Sequence, residues 1–300
     1  MKVFRYIVCM LFSISMCSVY AAMDTTRLRQ QIMAEFAKEP SGTFAVAFKD
    51  LSTGQQFFIN GHDNFHAAST MKTPVLIETF RQAALGKFAI TDSILVKNTF
   101  SSIVDGSPYS LDSMDDSEKD LYTLIGTKLP ISDLLYRMIT KSSNLSTNII
   151  IDLVDAKNVT STMRKLGAND IQVLRGVEDD KAFEKGLNNT TTAYDLMVIM
   201  EHIANGSAVS KKACDDMIRI LMDQHFRDII PAKLPPSVKV ASKSGSITAI
   251  CHDSGIVFLP NGKKYVIVLL SRGVQNQAAS TEVLATVSRI IYDHVTQASK

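Results

Sequence analysis

The sequence predicts an α/β fold of the α+β type: one antiparallel five-stranded sheet drawn from both chain ends and flanked by helices, with an all-helical lobe inserted between them. Three observations predict it. Two alternating apolar runs joined by a turn lie near the start of the chain, and three more strand-like runs occupy its last third. The stretch of roughly 150 residues between them carries a helical period instead.

The first residues are set aside as a signal. Lys2 and Arg5 give a positive start, Ile7 to Met16 an apolar stretch, and Val19-Tyr20-Ala21 a small-residue cleavage site. The apolar run falls short of the about 20 residues a membrane helix needs. Residues 1–21 are therefore read as an export signal and 22–300 as the catalytic domain of a periplasmic or secreted protein. Cys17 would suit a lipoprotein signal, but Met16 stands where a small residue is expected. Within 22–300, the α/β part is expected at 22–66 and 220–300 and the helical lobe at 67–219.

Asp24 to Lys38 reads as a helix, with Leu28, Ile32, Met33 and Phe36 at helical spacing and Pro40 and Gly42 after it. A hairpin follows, with Phe44, Val46 and Phe48 alternating, a turn at Leu51-Ser52-Thr53-Gly54, and a return over Gln56 to Asn60. Ser101 to Asp120 is rich in Ser and Asp, lacks an apolar period, and reads as a long surface loop. Near the other end come Val238 to Ala241, Gly255 to Leu259, an Asn261-Gly262 turn and Tyr265 to Ser271. A last amphipathic helix runs from about Thr281 to Val295. A cleft between sheet and lobe is the natural place for a site.

Loss of residues 1–21 leaves 279 residues and removes two positive charges, so the net charge falls from +2 to 0. That balance points to neither nucleic acid nor an anionic membrane as a partner, and a monomer acting on a small molecule is expected. Of the four cysteines, Cys9 and Cys17 leave with the signal. Cys214 and Cys251 remain, either as a disulfide, which export permits, or as two small buried hydrophobes.

Three short motifs carry chemistry. Ser69-Thr70-Met71-Lys72 leads into an apolar helix, placing Ser69 at or near its N-cap and Lys72 one turn later, on the same face. A serine needs a neighbouring base or cation to shed its proton during attack, and a lysine in a partly dry cleft serves as either. The pattern alone should occur by chance about once in such a chain, and an N-cap serine followed by a surface lysine is the plainer account. Pro74 sits inside the helix, where it removes a donor.

Lys141-Ser142-Ser143-Asn144 lies in a short turn between two helices. There Ser142 could relay a proton to a leaving amine and Asn144 hold a substrate amide, although Ser-Ser-Asn is also ordinary loop composition. Lys243-Ser244-Gly245-Ser246 closes the strand Val238 to Ala241 and opens the next pair. Lys243 and Ser244 would attract a substrate carboxylate, and Gly245 would let a substrate backbone approach. The N–H groups of Ser246 and Ser69 would form an oxyanion hole. A solvated strand end is the alternative.

Taken together and in this order, the three motifs resemble the S-x-x-K, S-D-N and K-T-G set of the class A β-lactamases and other penicillin-recognising serine enzymes. The resemblance extends over essentially the whole mature chain. It implies Ser69 as nucleophile, Lys72 as proton acceptor or electrostatic activator, Ser142 as proton relay and Asn144 as substrate-amide contact. It further implies carboxylate binding by Lys243 and Ser244, an oxyanion contact at Ser246, and Asn148 as the brace of a catalytic loop. Glu178 lies 36 residues after Ser142, which matches the family's register for the base that directs water onto the acyl-serine. A solvated acidic turn is the plainer reading of Glu178, since Asp179 and Asp180 stand beside it.

Departures from the pattern fall at Ser143, in place of the motif's aspartate, and at Ser244, which keeps the hydroxyl of the usual threonine. Ala182 stands where the family usually has an asparagine that holds the water. A serine β-lactamase is therefore expected, with a penicillin-binding D-Ala-D-Ala peptidase or an esterase as the alternative and a non-catalytic sensor as a third reading. No cofactor is expected. No metal is expected either: His62 and His66 precede the helix, and H-E-x-x-H does not occur.

Overall fold

The computed structural model describes residues 25–297; the export signal read at 1–21 lies outside them. Helix α1 (Thr25–Phe36) buries Leu28, Ile32 and Phe36, the four-residue repeat that forms it. Strands β1 (Thr43–Asp50) and β2 (Gln56–Ile59) make the expected hairpin. Two-residue β3 (Phe65–His66) leads into a 3₁₀ turn, Ala68–Met71, and then α2 (Lys72–Ala84). Pro74 is the third residue of α2, where a backbone N–H has no partner inside an α-helix, so the proline costs little there.

The lobe continues through β4 (Ser93–Leu95), β5 (Phe100–Ser101), β6 (Pro108–Tyr109), a 3₁₀ turn at Asp120–Leu124, and β7 (Lys128–Pro130). Helices α3 (Ile131–Thr140), α4 (Asn144–Val154) and α5 (Ala156–Lys165) follow. The stretch from Gly167 to Asn189, which reads as loop, contains a short helix, α6 (Asp180–Glu184), capped by the Asp179 carboxylate. At five residues it is too short to show a period. After β8 (Thr190–Thr191) come α7 (Ala193–Ala204) and α8 (Lys211–Met222). The chain closes with β9 (Lys239–Ile247), β10 (Ile250–Phe258), β11 (Lys264–Arg272) and α9 (Gln277–Gln297).

The large sheet is five-stranded and antiparallel, in the order β2-β1-β11-β10-β9. Central β11 is buried on both faces, and its side chains alternate between two cores. Tyr265, Ile267 and Leu269 pack with α1 and α9, while Val266, Val268 and Leu270 pack with the lobe. A one-residue slip would exchange the two sets, so register is strongly fixed. Gly262, at φ +82°, makes the Asn-Gly turn between β10 and β11.

Two further expectations are corrected. The segment 101–120 is largely exposed, as a surface loop would be, but β5 and β6 pair within and beside it, and Ser102, Leu111, Asp116 and Glu118 are buried. Its buried side chains are mostly polar and are held by hydrogen bonds, so they leave no apolar period. Strand β9 runs from Lys239 through Ile247, so Lys243–Ser246 lies well inside the strand and does not close it. Cys214 and Cys251 are free and lie in separate cores, one on the lobe side and one on the α1/α9 side.

Candidate active site

Sheet edge and lobe meet at a cleft of about 450 Å³ lined by Ser69, Ser142, Asn144, Ser244, Gly245 and Ser246, among others. Ser69 sits inside the 3₁₀ turn and α2 begins only at Lys72, so Ser69 is not a side-chain cap as the spacing suggests. Ala68, just before it, has φ +44°. Six non-glycine residues have positive φ among the described residues, and Ala68, Ser142 and Glu178 are three of them. That backbone form costs about 1 kcal/mol or more per residue and concentrates where function over-determines geometry.

Lys72 is fully buried, and its Nζ donates to Ser142 O at 2.6 Å, Ser142 Oγ at 3.2 Å and Asn144 Oδ1 at 2.9 Å. Among the described residues none of its hydrogen bonds goes to Ser69 Oγ; the ammonium is spent on the turn across the cleft. Burial pushes its pKa down to about 7, against the opposing pull of Asp116 and Glu178. Lys243 is also fully buried and donates to Ser142 Oγ at 3.2 Å and Ser244 O at 2.8 Å. Burial and then Lys72 hold its pKa well below the usual lysine value, opposed by Asp253. Ser142 Oγ thus accepts from two lysines, which occupies both lone pairs and leaves its own proton for a group in the cleft.

Asn144 links the two halves of the site, because its Nδ2 donates to Glu178 Oε1 at 2.7 Å while its Oδ1 faces Lys72. Burial raises the pKa of Glu178; the Asn144 hydrogen bond opposes this, and Asp116 and Asp115 add to it. Asn148 braces the adjoining backbone: Val177 N donates to its Oδ1 at 2.7 Å, and its Nδ2 donates to Val177 O at 3.0 Å. Gly176 is required there, since a Cβ would collide with the Asn148 amide. Asp179, directly after Glu178, accepts from Ser102 Oγ at 2.8 Å and Ile103 N at 2.9 Å. Ala182 is buried in α6 and offers no polar atom to a water.

On the sheet side, a Cβ on Gly245 would lie 3.0 Å from Ser69 N and 3.1 Å from Thr70 N. Glycine therefore lets β9 pass directly beside the serine turn. Ser246 Oγ accepts from Gln277 Nε2 at 2.7 Å, a residue of α9 that the sequence does not single out. Asp116 is missed as well: its Oδ2 accepts from Asn144 N and Leu145 N, both at 2.9 Å. Neither residue carries a motif, and only an acidic residue in a segment otherwise without a period hints at Asp116. No group of three or more potential metal ligands occurs among the described residues.

This arrangement brings the hydroxyls of Ser69 and Ser142 to one cleft, with two low-pKa lysines bonded to Ser142 and a carboxylate of raised pKa bonded to Asn144 behind it. Those are the parts of acyl transfer through serine. The chain is similar to known beta-lactamases. The family model described as beta-lactamase enzyme family matches residues 27–295. Beta-lactamase CARB-4 of Pseudomonas aeruginosa is 23% identical over 220 residues, which span 70% of this chain and 72% of the relative. A beta-lactamase from Sphaerobacter thermophilus DSM 20745 superposes with a TM-score of 0.78 at 24% identity, over 92% of this chain and 98% of the other. PBP-A superposes with a TM-score of 0.77 at 25% identity, over 91% of this chain and 97% of that one. A PBP-A mutant, 26% identical and solved as an acyl-enzyme complex with penicillin-G, matches equally well, with a TM-score of 0.77.

Proposed function

The chain belongs to the beta-lactamase enzyme family, and from that premise we propose that it is a class A-like serine β-lactamase acting through Ser69. The observation that carries the reading is the unbroken chain of hydrogen bonds from Lys72 through Asn144 to Glu178, with Asn144 lining the same cleft as Ser69. Ser69 Oγ attacks the lactam carbonyl, and its proton passes to neutral Lys72 as the C–O bond forms. The carbonyl oxygen takes the negative charge between the N–H groups of Ser69 and Ser246. As the lactam C–N bond breaks, Ser142 gives its proton to the leaving nitrogen and is reprotonated by Lys72. Lys243 and Ser244 hold the substrate carboxylate, with Gly245 giving the acyl chain access to β9.

The ester on Ser69 is then cleaved by water. Glu178 takes the water proton as hydroxide adds to the ester carbonyl and returns it to Ser69 Oγ as the C–O bond breaks, so the product acid leaves with Glu178 ionised and Lys72 neutral again. A lysine that titrates near neutrality can accept from Ser69 and donate to Ser142 within the acylation half.

Ala182 and the likeness to PBP-A favour one second reading, a penicillin-binding D-Ala-D-Ala peptidase that shares the acylation step but deacylates slowly. A single time course of intact mass and hydrolysed penicillin separates the two. Many turnovers with a transient adduct support the β-lactamase; a lasting stoichiometric adduct on Ser69 supports the peptidase; neither adduct nor product overturns both. We also propose export, on the N-terminal signal. A secreted or periplasmic product beginning at Ala22 supports it, and an intracellular product retaining Lys2 and Arg5 overturns it.

A further inference from the structure

We propose that Asp116 is the positioning residue of this site: its carboxylate, reaching in from the 101–120 segment, fixes the Ser142–Asn144 turn and sets a negative charge beside Lys72 and Glu178. Asp116 is only 3% exposed. A buried carboxylate is costly unless donors surround it. Here the donors are specific. Asn144 N and Leu145 N each donate to Oδ2 at 2.9 Å, Tyr122 OH donates to Oδ2 at 3.1 Å, and Glu118 N donates to Oδ1 at 3.0 Å.

Simple capping does not account for this arrangement. Ser143 already caps α4, its Oγ accepting from Ser146 N at 3.2 Å. Asp116 takes the two preceding N–H groups, and one of them belongs to Asn144, the residue whose side chain touches both Lys72 and Glu178. Holding that N–H sets the position of the amide that joins the two halves of the site. The middle motif carries serine at 143, so the carboxylate on this turn comes from a separate segment of the chain.

The charge has its own consequence. Lys72 faces Asp116, Glu178 from the loop before α6, and Lys243 from β9; Glu178 faces Asp115, Asp116 and Lys72. Asp116 favours the ammonium of Lys72 and opposes ionisation of Glu178. Without that charge both groups release their protons at lower pH.

The experiment compares wild type with Asp116→Asn and Asp116→Ala, and the pH readout rests on Lys72 and Glu178 acting as proton acceptors. Stopped-flow acylation by a fluorescent penicillin is followed against pH. In Asp116→Asn, whose amide oxygen can still accept from Asn144 and Leu145, the acid limb is expected to move down by about one unit. In Asp116→Ala, acylation is expected to slow by about 10- to 100-fold as well. A residue that only stabilises the fold would change amplitude and leave the limb in place, and an unmoved limb in Asp116→Asn overturns the electrostatic part. Amide hydrogen exchange at Asn144 and Leu145 tests the positioning without any substrate. Protection is expected to survive in Asp116→Asn and fall at these two sites in Asp116→Ala; equal protection in all three proteins overturns it. Failure of wild type to acylate would count against the proposed function, and the exchange measurement would still decide the role of Asp116.

Discussion

Asn144 Nδ2 lies 2.7 Å from Glu178 Oε1, so the turn that accepts from Lys72 also holds the carboxylate to which we assign deacylation. The same amide presents its oxygen to Lys72. Movement of one half of the site therefore disturbs the other. Rigidity at this amide matters more than at either charged end, because the planar group fixes the direction of both hydrogen bonds at once.

Glu178→Gln tests the assignment of the water-directing base. Glutamine keeps an oxygen for Asn144 but cannot take a proton, so deacylation is expected to fall by about 10²- to 10⁴-fold while acylation changes little. Intact mass after mixing with a penicillin should show a persistent adduct on Ser69. Unchanged steady-state turnover would remove Glu178 from the mechanism.

Lys72 titrates near neutrality, which fixes the sign of the pH dependence. Only its neutral form accepts the Ser69 proton, and burial has lowered its pKa to about 7. Below that pH the ammonium dominates, and the second-order acylation rate is expected to fall about tenfold per pH unit. Glu178 titrates above the usual carboxylate range, so the deacylation rate is expected to lose activity on acidification earlier than an exposed glutamate would allow. An acylation rate flat from pH 5 to 8 would mean that Lys72 acts only as a cation.

The parts of this site that could be read from sequence are those held by local periodicity. β1 alternates large with small residues and β11 is one apolar run, so the sheet followed from pattern, while Ser69 and Lys72, three apart before an apolar helical run, gained their roles only from the joint resemblance of three motifs. Lys243 to Ser246 was placed on the correct sheet edge, but the strand was cut short, because serine and glycine weaken a strand signal that pairing with β10 supplies in the fold. Asp116, Gln277 and Ser102 were not legible at all. Each acts through one long-range hydrogen bond or a few, and such contacts leave no mark on hydrophobic spacing.

Asp179→Ala should separate the two half-reactions by position. The Asp179 carboxylate caps α6 through Ala182 N and holds Ser102 and Ile103, tying the Glu178 loop to the segment beside it. Loss of a buried cap of this kind costs about 1–2 kcal/mol. Thermal melting is expected to show that loss. Deacylation is expected to slow more than acylation, because Ser69 and Lys72 are held by other elements. An equal loss in both steps would show that the loop acts on the whole cleft.

Gly245→Ala probes the seam between sheet and serine turn. The new methyl would stand 3.0 Å from Ser69 N and 3.1 Å from Thr70 N, and both neighbours are backbone. Neither can rotate away, so β9 or the 3₁₀ turn must shift by a few tenths of an ångström, at a cost of about 1–3 kcal/mol. Such a shift acts on the N–H groups assigned to the oxyanion, which stabilise the transition state and not the free enzyme. The acylation rate is therefore expected to fall by about 10²-fold or more, a larger effect than the loss of stability alone would give at 25 °C, where the folded form still dominates. Acylation at the wild-type rate in a protein of lowered melting temperature would place the oxyanion contacts away from this seam.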